Sequence, residues 1–170
     1  HSLGEYSALV CADALNFEDA LFLLKERGKA MQNAVPFGKG SMIAVLGLNC
    51  KEINDLLEKR EDKGVCEIAN DNADGQVIIS GEKENVEKFQ NLLKEKKIKS
   101  IPLKVSAPFH CSLMKPAAEV MKDKIKNVKF SDPSFNVINN VTANAELDSN
   151  NIKKLLIDQI FSTVKWRESI

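Results

Sequence analysis

His1-Ser2-Leu3-Gly4-Glu5-Tyr6 opens the chain, and its reading decides the fold. Ser2 and Gly4 supply the S-x-G portion of G-x-S-x-G, in which serine sits on a sharp turn from strand to helix. That turn presents the hydroxyl at the top of a sheet, and the next backbone N–H faces an oxyanion. The glycine that completes the pattern would precede His1. On spacing alone the segment is equally compatible with a serine that only caps a helix. If the elbow reading holds, the chain is α/β, and its remaining residues must supply a base and a substrate pocket.

Outward from the elbow, Leu3 to Leu15 carries helix formers and small residues, suited to a helix lying close on a sheet. Asn16-Phe17-Glu18-Asp19 reads as an N-cap with an acidic first turn, predicting a helix to about Val35, before Pro36 and Gly38. Ala20, Leu24, Arg27 and Met31 recur at helical spacing on one face. A guanidinium mid-stripe is costly to bury without a partner. Arg27 therefore either reaches the surface, pairs with a structural carboxylate, or serves as a receptor for a substrate carboxylate.

From Gly40 the periodicity changes. Ser41 to Leu48 predicts a strand, Asn49 to Glu52 a capping box, and Ile53, Leu56 and Leu57 an amphipathic helix ended by Gly64. Val65 to Ala69 and Gln76 to Ser80 predict a hairpin across the turn-rich 70–75 link. Ser80 is expected to start a helix with Val86, Phe89 and Leu93 inward, and Ile98 to Val105 forms a last strand. This β-α-β-β-α-β order predicts a ferredoxin-like unit over 40–105. It is inserted into a hydrolase-like three-layer core made of 1–39 and 106–170. In that core Pro116 suits a helix start, Ala117, Val120, Met121 and Ile125 give its buried face, Phe135 to Val141 reads as a buried strand, and Ser149 or Asn150 caps a final helix.

Composition narrows the function classes. Lys plus Arg equals Asp plus Glu at 24 each, and no basic helix is interleaved with aromatics, so nucleic acid is not an expected partner. No apolar run approaches the length of a membrane span. Cys11, Cys50, Cys66 and Cys111 are widely spaced with no C-x-x-C pair, which argues against a zinc site and for a reducing, cytoplasmic setting. A serine nucleophile needs a base, and His110, on the Ser106-Ala107-Pro108-Phe109-His110 loop, is the candidate; His1 is the elbow neighbour whose side chain diverges from Ser2.

Five blocks, in order, resemble the malonyl-CoA:acyl carrier protein transacylases of fatty acid synthesis and the related acyltransferase domains of polyketide synthases. They are 1–8, 27–32, 40–45, 72–81 (Asn72, then Gln76 to Gly81) and 109–114, and the resemblance runs through the whole chain. It implies that Ser2 accepts the malonyl group and that His110 is the base. A backbone carbonyl at Gln159 would orient His110, and the N–H of Leu3 would be one oxyanion donor. Arg27 would hold the malonate carboxylate, with Met31 and Phe109 lining the pocket and Asn72 and Gln76 supporting it. The resemblance also implies ping-pong transfer from malonyl-CoA to acyl carrier protein, with no metal or redox cofactor, by a monomer. The family's domain has an earlier segment with a G-Q-G glutamine as second oxyanion donor and helices beyond position 170. The chain thus reads as a piece of a longer protein, weakly active or inactive alone. Two rivals remain: a serine esterase of related fold, and a non-catalytic module whose lysines at 94–104 dock an acidic partner.

Overall fold

The computed structural model describes residues 1–170. It is mixed α/β, and its apolar residues segregate into a helical lobe and a sheet lobe, with the candidate site between them.

In the helical lobe, α1 (Leu3–Cys11) leaves the turn at Ser2, and α2 (Phe17–Asn33) follows after the Asn16 side chain accepts from the Asp19 N–H. The apolar stripe of α2 is rotated slightly from the expected one: Ala20, Leu23, Arg27 and Met31 are buried, whereas Leu24 is half-buried. α5 (Lys115–Lys126) carries Pro116 in its first turn, where a missing N–H costs nothing. Its inward face is Ala117, Ala118, Met121 and Ile125. Val120 is exposed, because 100° per residue puts it on the flank opposite Ala118. α6 (Ser149–Asp158) is capped by the Asp148 carboxylate, which accepts from the N–H groups of Asn150 and Asn151, so the cap lies one residue before the expected Ser149. Tyr6, Leu9, Leu23, Met114, Met121, Ile125, Leu156 and Ile160 are at the centre of this lobe's core.

The sheet lobe holds β1 (Gly40–Leu46), α3 (Cys50–Glu58), β2 (Cys66–Ala73), β3 (Gln76–Glu82), α4 (Lys83–Glu95) and β4 (Lys99–Pro102). Its strands lie in the order β2-β3-β1-β4, every neighbour antiparallel. The Asn49–Glu52 capping box forms with both reciprocal bonds. Four boundaries differ from expectation. α3 stops at Glu58, well short of Gly64. β2 runs on through Asn70 to Ala73, so the turn tightens to Asp74-Gly75, with Gly75 at φ 71°. β3 continues to Glu82, leaving Ser80 buried mid-strand, and α4 starts after Glu82. β4 ends at Pro102. In the strands, ladder pairing with a neighbour overrides local polarity, which is what single-sequence reading misses.

Alternation along these strands divides labour between the two faces. Ile43, Val45, Val77 and Ile79 point to α3 and α4 and pack on Ile53, Val86, Phe89 and Leu93. Met42, Ala44 and Ile78 point the other way, toward Phe109 and the helical lobe. The expected strand over Phe135 to Val141 is ladder-paired only at β5 (Val137–Ile138), against β6 (Ala145–Glu146), and Phe135 is exposed. The remainder of that stretch spends its polar groups on the site. After α6, residues 163–165 join the lobes: Val164 bridges Asn70, and the Lys165 N–H donates to the Asn140 carbonyl. α7 (Trp166–Ser169) comes last, with Arg167 paired to Asp71.

Candidate active site

Ser2 is held at φ 51°, ψ −89°, outside the ordinary basins of a non-glycine residue. Such a conformation costs on the order of 1–3 kcal/mol and persists only when its surroundings enforce it. The enforcing bond comes from the Ser2 N–H, which donates to Asn140 Oδ1 at 2.6 Å. Leu3 is the first residue of α1, so its N–H has no partner inside the helix and is free to meet an oxyanion.

His110 also sits at positive φ, 57°. Its Nδ1–H donates to the Gln159 carbonyl at 2.8 Å, which leaves Nε2 unprotonated and 3.0 Å from Ser2 Oγ. That tautomer is the one a general base requires. Burial, followed by the nearby Arg27 charge, lowers the imidazole pKa to about 4, so the ring is neutral at physiological pH.

Arg27 reaches the same point from α2. Its Nη2 donates to Ser2 Oγ at 2.8 Å and to Gln159 Oε1 at 2.9 Å. The residue is 8% exposed, and burial lowers its pKa. It is absent from every ion pair in the molecule, and its Nε is buried without a hydrogen-bond partner. A buried cation whose only hydrogen-bond partners are uncharged is a strong receptor for an anion.

Ser2, Arg27 and His110 open on one cavity of about 580 Å³ between the lobes. Met31, Phe109, Asn72 and Gln76, each singled out in the sequence, lie on its wall, and the outward strand residues Met42, Ala44 and Ile78 complete its apolar side. Larger clefts elsewhere lack this chemistry: the one beside α4 holds Lys39, Lys83 and Glu84 but no nucleophile and base in contact. No group of three or more His, Cys, Asp or Glu side chains is placed to hold a metal.

Sequence reasoning missed a second layer. Glu5, Asn139, Asn140 and the side chain of Gln159 are all buried and bonded to one another around the elbow. Glu5 lies inside the motif and could have been flagged as an acidic residue on the inner face of α1. Asn139 and Asn140 gave no local signal beyond a polar pair closing an apolar strand.

The acyl transferase domain model matches residues 1–170. The chain belongs to the acyl transferase domain family. Among curated members of this acyl transferase family, a malonyl CoA-acyl carrier protein transacylase of Haemophilus influenzae is 45% identical over 171 residues, covering 100% of this chain and 55% of that protein. The Bacillus subtilis protein of the same name is 44% identical, covering 100% of this chain and 54% of its own length. The chain thus spans just over half the length of these relatives. Of solved structures, the Coxiella burnetii malonyl CoA-acyl carrier protein transacylase superposes with TM-score 0.96 at 42% identity, over 99% of this chain and 54% of that one. A malonyl-transacylase in complex with a type II polyketide synthase acyl-carrier protein superposes with TM-score 0.95 at 41% identity, over 99% and 55%.

Proposed function

We propose that these residues carry the malonyl-transfer chemistry of an acyl transferase: from malonyl-CoA to Ser2, and from Ser2 to the phosphopantetheine thiol of acyl carrier protein. The observation that carries the reading is the unpaired guanidinium of Arg27 beside a serine–histidine pair, 2.8 Å from the nucleophile. A hydrolase of simple esters has no use for a buried cation there. A malonyl thioester presents a carboxylate two bonds beyond its reacting carbonyl carbon, and that carboxylate suits the planar fork of arginine.

In the first half-reaction Ser2 Oγ attacks the thioester carbonyl as its proton passes to His110 Nε2. The Leu3 N–H stabilises the oxyanion, and a second donor would come from outside these residues. The C–S bond breaks, and the coenzyme thiolate departs with the proton from the imidazolium. In the second, the carrier thiol gives its proton to Nε2 and attacks the malonyl ester, and the proton returns to Ser2 Oγ. Charge and electrons balance through proton transfer alone, so neither metal nor redox cofactor is required. The Gln159 carbonyl keeps Nδ1 protonated throughout and stabilises the imidazolium that forms in each half.

Bound malonate also tunes the base. Arg27 is the second cause of the low His110 pKa, and a carboxylate paired with it offsets that field. His110 becomes more basic when the correct substrate is seated, moving toward the range in which a general base works well.

The architecture belongs to the same reading. The antiparallel order β2-β3-β1-β4 with two helices on one face supports a ferredoxin-like unit over 40–105, inserted into a hydrolase-like core of 1–39 and 106–170. The same reading makes the enzyme cytoplasmic and monomeric; its four cysteines are free, and no helix is long and apolar enough to cross a membrane.

Arg27→Ala tests the proposal, in the polypeptide that carries these residues. Malonyl-CoA turnover should fall by at least about 100-fold and acetyl-CoA turnover far less, since a bidentate charged contact is lost only by the dicarboxylate substrate. Equal losses would overturn the carboxylate-receptor reading. Hydrolysis of simple esters outpacing transfer to carrier protein would favour the esterase.

A further inference from the structure

Glu5 is an anion enclosed on every side. It is 5% exposed, yet no cation lies within ion-pair distance. Instead it accepts three hydrogen bonds: from Asn139 Nδ2 to Oε1 at 2.6 Å, from the Asn140 N–H to Oε2 at 3.0 Å, and from Gln159 Nε2 to Oε2 at 2.8 Å. All three partners are donors. Three donors and no acceptor around it favour the carboxylate form, and these bonds work against burial, which raises the Glu5 pKa.

The bond to Gln159 has a directional consequence. An amide whose Nε2 is committed to Glu5, and at 3.2 Å to the Ser2 carbonyl, must turn Oε1 the other way. Oε1 then meets Arg27 Nη2 at 2.9 Å, and the same nitrogen continues to Ser2 Oγ. The reverse orientation would aim amide donors at a guanidinium that has donors alone. Glu5 therefore sets the amide, and the amide sets the arginine. Asn140, whose main chain bonds Glu5, holds the strained N–H of Ser2 through its side chain.

We infer that Glu5 is a positioning and specificity-determining residue, a buried counter-charge that orients Arg27 through the Gln159 amide while leaving the guanidinium fork free for a substrate carboxylate. A carboxylate paired directly with Arg27 would occupy the groups that substrate must use. One amide interposed between the charges keeps their attraction, at reduced strength, and removes that competition. The inference rests on the malonyl-transfer reading for its substrate, but its geometry is independent of it.

Three variants of the polypeptide carrying these residues test it: Glu5→Gln, Gln159→Met, and Glu5→Gln combined with Gln159→Glu. Glu5→Gln keeps the shape of the side chain but puts an NH₂ against a donor. Malonyl transfer should lose about 10-fold to 100-fold in kcat/KM, the range of one hydrogen bond to a charged group, with acetyl transfer changed much less. The double variant moves the carboxylate from position 5 to position 159, directly against Arg27 where it competes with substrate, and its malonyl-to-acetyl ratio should stay as low as that of Glu5→Gln or fall further. Gln159→Met keeps the carbonyl that holds His110 but deletes the amide, and its malonyl-to-acetyl ratio should fall by a similar factor. Should Glu5→Gln not fold, this variant decides the question. An unchanged ratio in Glu5→Gln or Gln159→Met, equal losses for both substrates, or a malonyl preference restored in the double variant overturns the relay. Crystal structures of the single variants judge it without reference to substrate: Arg27 Nη2 moved out of reach of Ser2 Oγ supports it, and an undisturbed contact overturns it. If Arg27→Ala affects both acyl groups equally, the substrate reading fails, and the relay still stands or falls on the position of Arg27.

Discussion

The two lobes solve opposite problems with the same chain. In the sheet lobe, an apolar core lies between the sheet and its two helices, backbone groups are satisfied by ladders and helices, and the buried polar residues Asn70, Asp71, Ser80 and Asn85 share no hydrogen bond with one another. The helical lobe has a larger apolar core but also encloses Glu5, Arg27, His110, Asn139, Asn140 and Gln159 in one connected set. It also holds the two strained residues of the site, Ser2 and His110. Buried polar groups that bond one another fix geometry at a cost in stability, so this lobe trades stability for one arrangement of Ser2, Arg27 and His110. The sheet lobe contributes a wall to the cavity, through Met42, Ala44 and Ile78, and takes no part in proton transfer.

That division is breakable at its strongest point first. Ser2→Ala or His110→Ala should remove several powers of ten in transfer rate, on the order of ~8 kcal/mol if the pair acts as a unit. Cooperative thermal unfolding should persist in both, and Ser2→Ala should abolish labelling by a fluorophosphonate probe. Retention of more than a few per cent of transfer in Ser2→Ala would place the nucleophile elsewhere. The opposite pattern is expected from Phe89→Ala, which opens a void under α4. It should cost about 3–5 kcal/mol of stability, seen as a lowered Tm or denaturation midpoint, while the malonyl-to-acetyl ratio of the folded fraction stays constant. A changed ratio would mean that the sheet lobe does more than wall the cavity.

A finer distinction lies in the pH dependence. His110 is lowered to about 4 by burial first and Arg27 second, and a base works only while neutral. Acylation of Ser2 should therefore hold down to mildly acid pH and fall as pH drops through that value. Arg27→Ala removes the second cause, so the pKa of His110 rises and the acidic limb of kcat/KM for acetyl-CoA moves to higher pH. A limb that stays in place, or moves lower, would mean that Arg27 does not act on the base. Folding has the same sign. The unfolded imidazole binds protons near 6.5 and the native one only near 4, so this residue's contribution to stability is lost as pH falls between those values.

How much of this was legible in the sequence differs between the lobes for the same reason. Strands, the capping box at Asn49 and the tight turn at Gly75 follow from residues within a few positions of each other, and errors there are shifts of boundary such as Ser80. The three candidate side chains that meet in the cavity were legible one by one, Ser2 from the elbow, Arg27 from its place on an apolar stripe, His110 by elimination and position. Glu5 and Asn139 were not, because they lie 134 residues apart in sequence and neither has a local pattern that demands burial.

Sequence by itself determined most of the segments that become helices and strands, that the chain has an apolar core of adequate size, and which three side chains are candidates for acyl transfer to a hydroxyl. Those properties are set by periodicity, caps and functional groups, which act over a few residues. Tertiary structure alone decided that Arg27 and His110 each come within 3.0 Å of Ser2 Oγ, that Gln159 serves them with both its carbonyl and its amide, and that Glu5 stands behind them. Convergence of distant polar groups depends on how whole layers pack, and only packing can supply the enclosed, hydrogen-bonded surroundings in which a buried carboxylate and a buried guanidinium both persist.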